Sequence, residues 1–155
     1  MTGTLVFGAS GYIGSHLVPR LLQRGHHVRA AARHREVLEG RGWQGVELVA
    51  ADALKPQTLG TTLAGMDTAY YLVHSMAAGR EFARLDRIAA DHFREAATRA
   101  GLRRIVYLGG IQPRAVASEH LASRRETGER LRAGRVPVTE LRAGIIVGPG
   151  SAAFE

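Results

Sequence analysis

An apolar run, Thr4-Leu5-Val6-Phe7, leads directly into Gly8-Ala9-Ser10-Gly11-Tyr12-Ile13-Gly14 and then into a stretch of helical periodicity. A strand entering a helix through a Gly-x-x-Gly-x-x-Gly turn has few ways to fold. Gly8 lets the chain leave the strand in a tight turn. Gly11 lets backbone approach a pyrophosphate with no Cβ in the way, and Gly14 lets the helix lie close to the strand. The helix start then offers unpaired N–H groups and a positive dipole end to an anion. The segment reads as a dinucleotide phosphate cradle, with Ser10, Tyr12 and Ile13 filling the turn between the glycines.

The rest of the chain agrees with that start. Helix one carries Ile13, Leu17, Val18, Leu21 and Leu22 on one face, with Pro19 inside it at the cost of one backbone bond, and Gly25 ends it. Strands are expected at Thr4 to Phe7, His27 to Ala31, Val46 to Ala50, Thr68 to Val73, Arg104 to Leu108 and Pro137 to Leu141. Helices are expected at Lys55 to Leu63, Glu81 to Ala100 and Ser118 to Ala133, and a short charged segment follows strand two. Apolar strands alternating with helices predict an α/β fold: a doubly wound parallel sheet, the Rossmann fold, with helices on both faces. The expected strand order is 3-2-1-4-5-6, with a ligand crevice at the carboxyl ends.

Composition bounds the function classes. With 155 residues, 45% of them hydrophobic, the chain has enough for one sizeable core. It has no cysteine, so disulfides and thiolate chemistry are excluded, and its seven histidines are scattered rather than spaced for a metal. No long apolar run or charged leader stands out, which reads as a soluble cytoplasmic protein with no membrane partner. The net charge of +7 comes almost wholly from arginine, since Lys55 is the only lysine. On the long helix, arginines at 84, 87, 94 and 99 are interleaved with Glu81, Asp86, Asp91 and Glu95, a pattern read as a solvated face. Nucleic-acid binding would want a basic stripe with stacking aromatics, and the chain has only four Phe, four Tyr and one Trp.

The choice of dinucleotide is argued at the end of strand two, roughly twenty residues past the glycines, where an acid would grip the ribose hydroxyls of NAD(H). This chain reads Ala31-Ala32-Arg33-His34-Arg35, and its first acid is Glu36. A guanidinium matches a 2′-phosphate with forked, charge-assisted bonds worth roughly 1.5–3 kcal/mol, one to two decades of affinity. NADP(H) is therefore the favoured cofactor and NAD(H) the alternative, with Arg33 and His34 as the discriminating residues.

These features resemble the short-chain dehydrogenase/reductase superfamily in its extended and atypical branches, across nearly the whole chain. Beyond the glycine turn, the resemblance rests on Ala51-Asp52, on Asp67-Thr-Ala-Tyr-Tyr-Leu-Val-His-Ser75, on Val106-Tyr-Leu-Gly-Gly110 and on Leu141-Arg-Ala-Gly-Ile-Ile-Val-Gly-Pro-Gly150, which is similar to the sixth-strand motif of sugar-nucleotide epimerases. It implies that Asp52 and Ala53 meet the adenine, that Leu72, Val73 and His74 line the adenosine and nicotinamide riboses, and that Gly109 stands where the family keeps a serine. It also implies a C-terminal substrate-binding part beyond these residues, and a dimer through the two long helices.

The family's catalytic tyrosine, followed four residues later by lysine, has no counterpart. The matching helix reads His120-Leu-Ala-Ser-Arg124, so histidine replaces tyrosine and arginine replaces lysine, both on one helix face. A histidine can move a proton near neutral pH unaided. His120 and Arg124 are accordingly the candidate catalytic pair of an atypical, NmrA-like oxidoreductase domain of unknown substrate. The alternative is a non-catalytic module that senses or stores NAD(P)(H).

Overall fold

The computed structural model describes residues 3–114 and 118–151. Strand β1 (Gly3–Phe7) is followed by α1 (Tyr12–Gln23), β2 (His27–Ala32), α2 (Arg35–Glu39), β3 (Glu47–Ala50), α3 (Leu59–Leu63) and β4 (Thr68–Tyr71). Then come α4 (Phe82–Ala100), β5 (Arg104–Gly110), α5 (Glu119–Arg132) and β6 (Val138–Ala143), with 3-10 turns at Pro56–Thr58 and Met76–Glu81. The six strands form one parallel sheet in the order β3-β2-β1-β4-β5-β6, as the sequence predicted. The order reverses between β1 and β4, so the connections leave those two strands in opposite directions and open a crevice at their carboxyl ends.

Strand alternation splits the core between the two sheet faces. Leu5 and Phe7 of β1 face one side with Tyr71, Phe93, Ile105 and Tyr107, where α3, α4 and α5 lie. Val6 faces the other with Val28, Ala30, Val18, Leu21 and Leu38, under α1 and α2. The first side is aromatic at its centre: Phe93 sits 5.0 Å from Phe7 and 4.8 Å from Tyr71, ring centre to ring centre. Behind α1, Gly25 at φ +81° lets its own N–H reach Leu22 and the next N–H reach Leu21, closing the helix and turning the chain into β2.

Several boundaries differ from the sequence expectation. The charged segment after β2 is a helix, because Arg35 pairs with Glu39 at 3.0 Å and Leu38 buries beneath it. The expected helix from Lys55 divides into a 3-10 turn and a short α-helix, with Pro56 at the first position of the turn. Strand β4 ends at Tyr71, two residues early, whereas β5 and β6 run on to Gly110 and Ala143 because the two glycines of β5 continue the ladder opposite Arg142 and Ala143.

The polar face of α4 is the larger correction. Asp86 is only 6% exposed, and Asp91 bridges to Arg94 at 2.8 Å and to Arg130 of α5 at 2.6 Å. Phe82, Ala89, Phe93 and Ala96 are buried on α4, and Asp86 has the same helical phase, so its carboxylate is carried inward.

Candidate functional site

The glycine turn is built as its sequence requires. Gly8 adopts φ +97°, and a Cβ there would stand 2.9 Å from the Leu72 carbonyl. Both the Gly8 and Ala9 amides donate to the Ala31 carbonyl at 3.0 Å, which anchors the turn to β2. A Cβ on Gly14 would lie 2.5 Å from the Gly8 oxygen and 2.7 Å from the Ala9 Cα, so α1 can approach the strand only with glycine there. Gly11 is different: a Cβ would meet nothing closer than the Gly8 oxygen at 3.6 Å, and the residue is exposed. The space before Gly11 is thus left open, and the first-turn amides of α1 that follow it have no intrahelical acceptor.

Two cavities extend from this turn. The larger, about 400 Å³, is lined by Gly8, Ser10, Gly11, Arg33, Asp52, Ala53, Leu72, Val73 and His74, with Ser75 and Asp86 behind them. The smaller, about 160 Å³, shares Gly8, Gly11, Leu72, Val73 and His74, and adds Tyr12, Ile13, Gly14, Tyr107, Arg124 and Ile146. The larger is of the size that binds small organic ligands. His34, Gly109 and His120 line neither. His34 is the exposed residue before α2. Gly109 is buried in β5, where a Cβ would stand 2.7 Å from the Glu140 carboxylate. The His120 ring stacks on Phe82, their centres 4.5 Å apart.

The polar groups around the crevice divide by partner. Arg33 is exposed on the larger cavity, while Arg35 is taken up by Glu39 and Arg41 donates to the Ser10 carbonyl at 3.1 Å. Arg41 thus places a second guanidinium at the glycine turn. Asp52 does two things: its Oδ1 accepts the Leu54 N–H at 2.9 Å, capping the turn, and the residue lines the cavity. The same segment is steadied by a 2.7 Å hydrogen bond between His92 Nδ1 of α4 and the Ala53 carbonyl.

At the junction of the cavities stands His74. Desolvation lowers its pKa from the ordinary histidine value, and Arg124 and His120 push the same way against an opposing pull from Asp86. The imidazole is therefore biased to its neutral form. Tyr107, the phenol beside Arg124, is pushed up to about 12, chiefly by burial, and its hydroxyl donates to the Arg124 carbonyl at 2.9 Å. Tyr71 is raised further for the same reason. A catalytic tyrosine of the dehydrogenase type needs its pKa lowered, so these buried phenols are tuned the wrong way for that task.

Sequence reasoning did not find Asp86, His92 or Arg41. The helical phase of Asp86 was the available signal, whereas His92 and Arg41 meet carbonyls distant in sequence that no local pattern reveals.

The glycine turn, its open face at Gly11 and the cavities beside it fit a dinucleotide, and the comparisons with known proteins agree. Residues 8–143 match the NAD(P)H-binding protein family. Sterol demethylase protein B of Methylococcus capsulatus is 30% identical over 126 residues, covering 76% of this chain and 38% of that protein. A 4-hydroxy-2-methyl-3-oxo-4-farnesyl-3,4-dihydroquinoline-1-oxide ketoreductase of Stigmatella aurantiaca is 30% identical over 108 residues, covering 68% of this chain and 32% of that one. Among solved structures, Citrobacter sp. triphenylmethane reductase complexed with NADP(H) superposes with a TM-score of 0.76 at 22% identity, over 92% of this chain and 49% of that one. The chain therefore spans half or less of the length of these relatives. No helix among the described residues is long and apolar enough to cross a membrane. The resemblance to atypical short-chain dehydrogenase/reductases is borne out, and the chain belongs to the NAD(P)H-binding family.

Proposed function

We propose that this chain is the NADP(H)-holding part of a reductase acting on a carbonyl or related polarised double bond of a small molecule. The observation that carries the reading is the continuity of the crevice: a turn open at Gly11, a large cavity reaching Arg33 and Asp52, and a smaller one reaching Arg124. In this reading the first-turn amides of α1 hold the pyrophosphate, and Arg33, flanked by His34, takes the 2′-phosphate. Asp52 and Ala53 take the adenine, and Leu72, Val73 and His74 the riboses, whereas Gly109, whose missing Cβ faces Glu140, takes no part. When bound, the nicotinamide supplies a hydride. Arg124 would orient the reacting group in the smaller cavity, and His120, four residues before it on α5 and exposed, would give up the proton that the substrate oxygen takes as hydride arrives and recover one from solvent. The ketoreductase and triphenylmethane reductase relatives support a reductive chemistry.

A second reading, a non-catalytic module that responds to the redox state of NADP(H), is favoured by one observation. The Tyr107 phenol at the smaller cavity is locked to a backbone carbonyl with its pKa raised. Turnover separates the two readings. The chain is mixed with NADPH and a panel of aldehydes, ketones and quinones while nicotinamide absorbance is followed. Oxidation that disappears in His120→Ala supports the reductase. If no compound is reduced, and NADPH and NADP⁺ bind with different affinities, the sensor replaces it.

A further inference from the structure

Asp86 is an acid in the inward stripe of α4, and both of its oxygens are engaged. Oδ1 accepts the Ser75 N–H at 2.6 Å, and Oδ2 accepts the Ser123 hydroxyl at 3.0 Å. Ser75 follows His74 in the connection after β4, and Ser123 lies between His120 and Arg124 on α5. One buried carboxylate thus joins three elements that share no covalent proximity, and it does so where the large cavity is lined by His74, Ser75 and Asp86 together. A carboxylate nine-tenths withdrawn from water is strongly disfavoured unless it is well hydrogen-bonded, so packing alone would favour an apolar residue at this point of the stripe.

We infer that Asp86 is a positioning residue, which clamps the His74 end of β4 against the His120–Arg124 stretch of α5 and so fixes the spacing between the two walls of the crevice. The inference rests on the NADP(H)-binding reading of that crevice. Its electrostatics agree with the geometry. The charged groups that act on His74 are Asp86 from α4 and Arg124 and His120 from α5, and of these only Asp86 favours the imidazolium. The carboxylate therefore both anchors the histidine turn and opposes the effect of the Arg124 guanidinium on it.

Two substitutions separate these effects. In Asp86→Asn the amide oxygen keeps the Ser75 N–H, and the amide nitrogen can donate to the Ser123 hydroxyl, so the clamp survives without its charge. In Asp86→Ala both bonds go, and the half-buried Ser75 N–H and the buried Ser123 hydroxyl lose these acceptors. NMR titration of the histidine rings should show the His74 midpoint moving down in Asp86→Asn while NADPH affinity stays within about threefold of the parent, and NADPH affinity falling about tenfold in Asp86→Ala. If Asp86→Ala does not fold, Ser123→Ala, which removes one arm, should weaken NADPH binding by a smaller factor and leave the fold intact. An unmoved His74 midpoint in Asp86→Asn, or undiminished NADPH affinity in both alanine variants, overturns the inference. If the parent chain binds no NADPH, it is the preceding reading that fails. The His74 titration in Asp86→Asn then decides the role of Asp86 alone.

Discussion

Three glycines within seven residues do different work at the residue scale, and substitution can pull their roles apart. An alanine Cβ at position 14 would press on backbone, the Gly8 oxygen and the Ala9 Cα, neither of which can swing aside. Gly14→Ala should therefore lower stability by about 1–3 kcal/mol, the usual range for overpacking, and lose NADPH as the turn shifts. Gly11 has open space before it and an ordinary backbone conformation, so Gly11→Ala should cost less than about 1 kcal/mol of stability yet still obstruct the dinucleotide. Thermal unfolding and NADPH titration of both variants check this. Equal stability loss in the two, or unimpaired binding in Gly11→Ala, would contradict the assignment. The roles of Gly8 and Gly14 were legible in the sequence because each depends on a missing Cβ within a local turn. The role of Asp86 was not, since it depends on Ser75 and Ser123, which only the tertiary fold brings to one point.

At the scale of elements, legibility followed periodicity. The phase of α4 shows in Phe82, Ala89, Phe93 and Ala96, and its end in Gly101, so its span was readable to within a residue. The helix at 35–39 was hidden because a single buried residue, Leu38, and one exposed pair hold it, too little for any period to show. The extension of β5 through Gly109 and Gly110 was hidden for another reason: glycine is a poor strand former, and only pairing with β6 keeps those residues extended. Pairing between elements also explains Arg29. Its side chain is 12% exposed, bonds Glu47 of β3 at 2.9 Å, and donates to the Thr62 and Ala64 carbonyls at 2.8 Å where α3 ends. Arg29→Ala should destabilise the domain by about 2–3 kcal/mol, as expected for charge-assisted bonds to partly buried carbonyls. Arg29→Lys should recover only part of this, because an ammonium cannot fork between β3 and α3. Urea unfolding measures both. A loss under about 0.5 kcal/mol in the alanine variant would show that α3 is held by apolar contacts alone.

For the whole molecule, the organising fact is the reversal of strand order between β1 and β4. It opens one crevice, and the glycine turn, the arginine at the end of β2, Asp52 after β3, the His74 turn and Arg124 of α5 are gathered around it from five separate connections. The fold could be read in advance because strand and helix periods alternate along the chain, and the family because the glycine turn and the motifs at 51–52, 67–75, 106–110 and 141–150 resemble it. The division of the crevice into a larger and a smaller cavity could not, for it arises from side chains on opposite sides of the sheet order. Apolar side chains at Leu141, Ile145 and Val147 remain exposed along and beyond β6, on a chain that spans 38% of the Methylococcus relative. In the proposed function this crevice binds a dinucleotide and selects its 2′-phosphate. Parallel titration of the chain with NADPH and NADH, followed by nicotinamide fluorescence and repeated on Arg33→Ala, tests it most directly. NADPH is expected to bind about ten or more times tighter than NADH, with the difference largely abolished in the variant. Equal affinities in the parent chain, or a preference that survives loss of Arg33, would contradict the assigned clamp, and binding of neither would contradict the site itself.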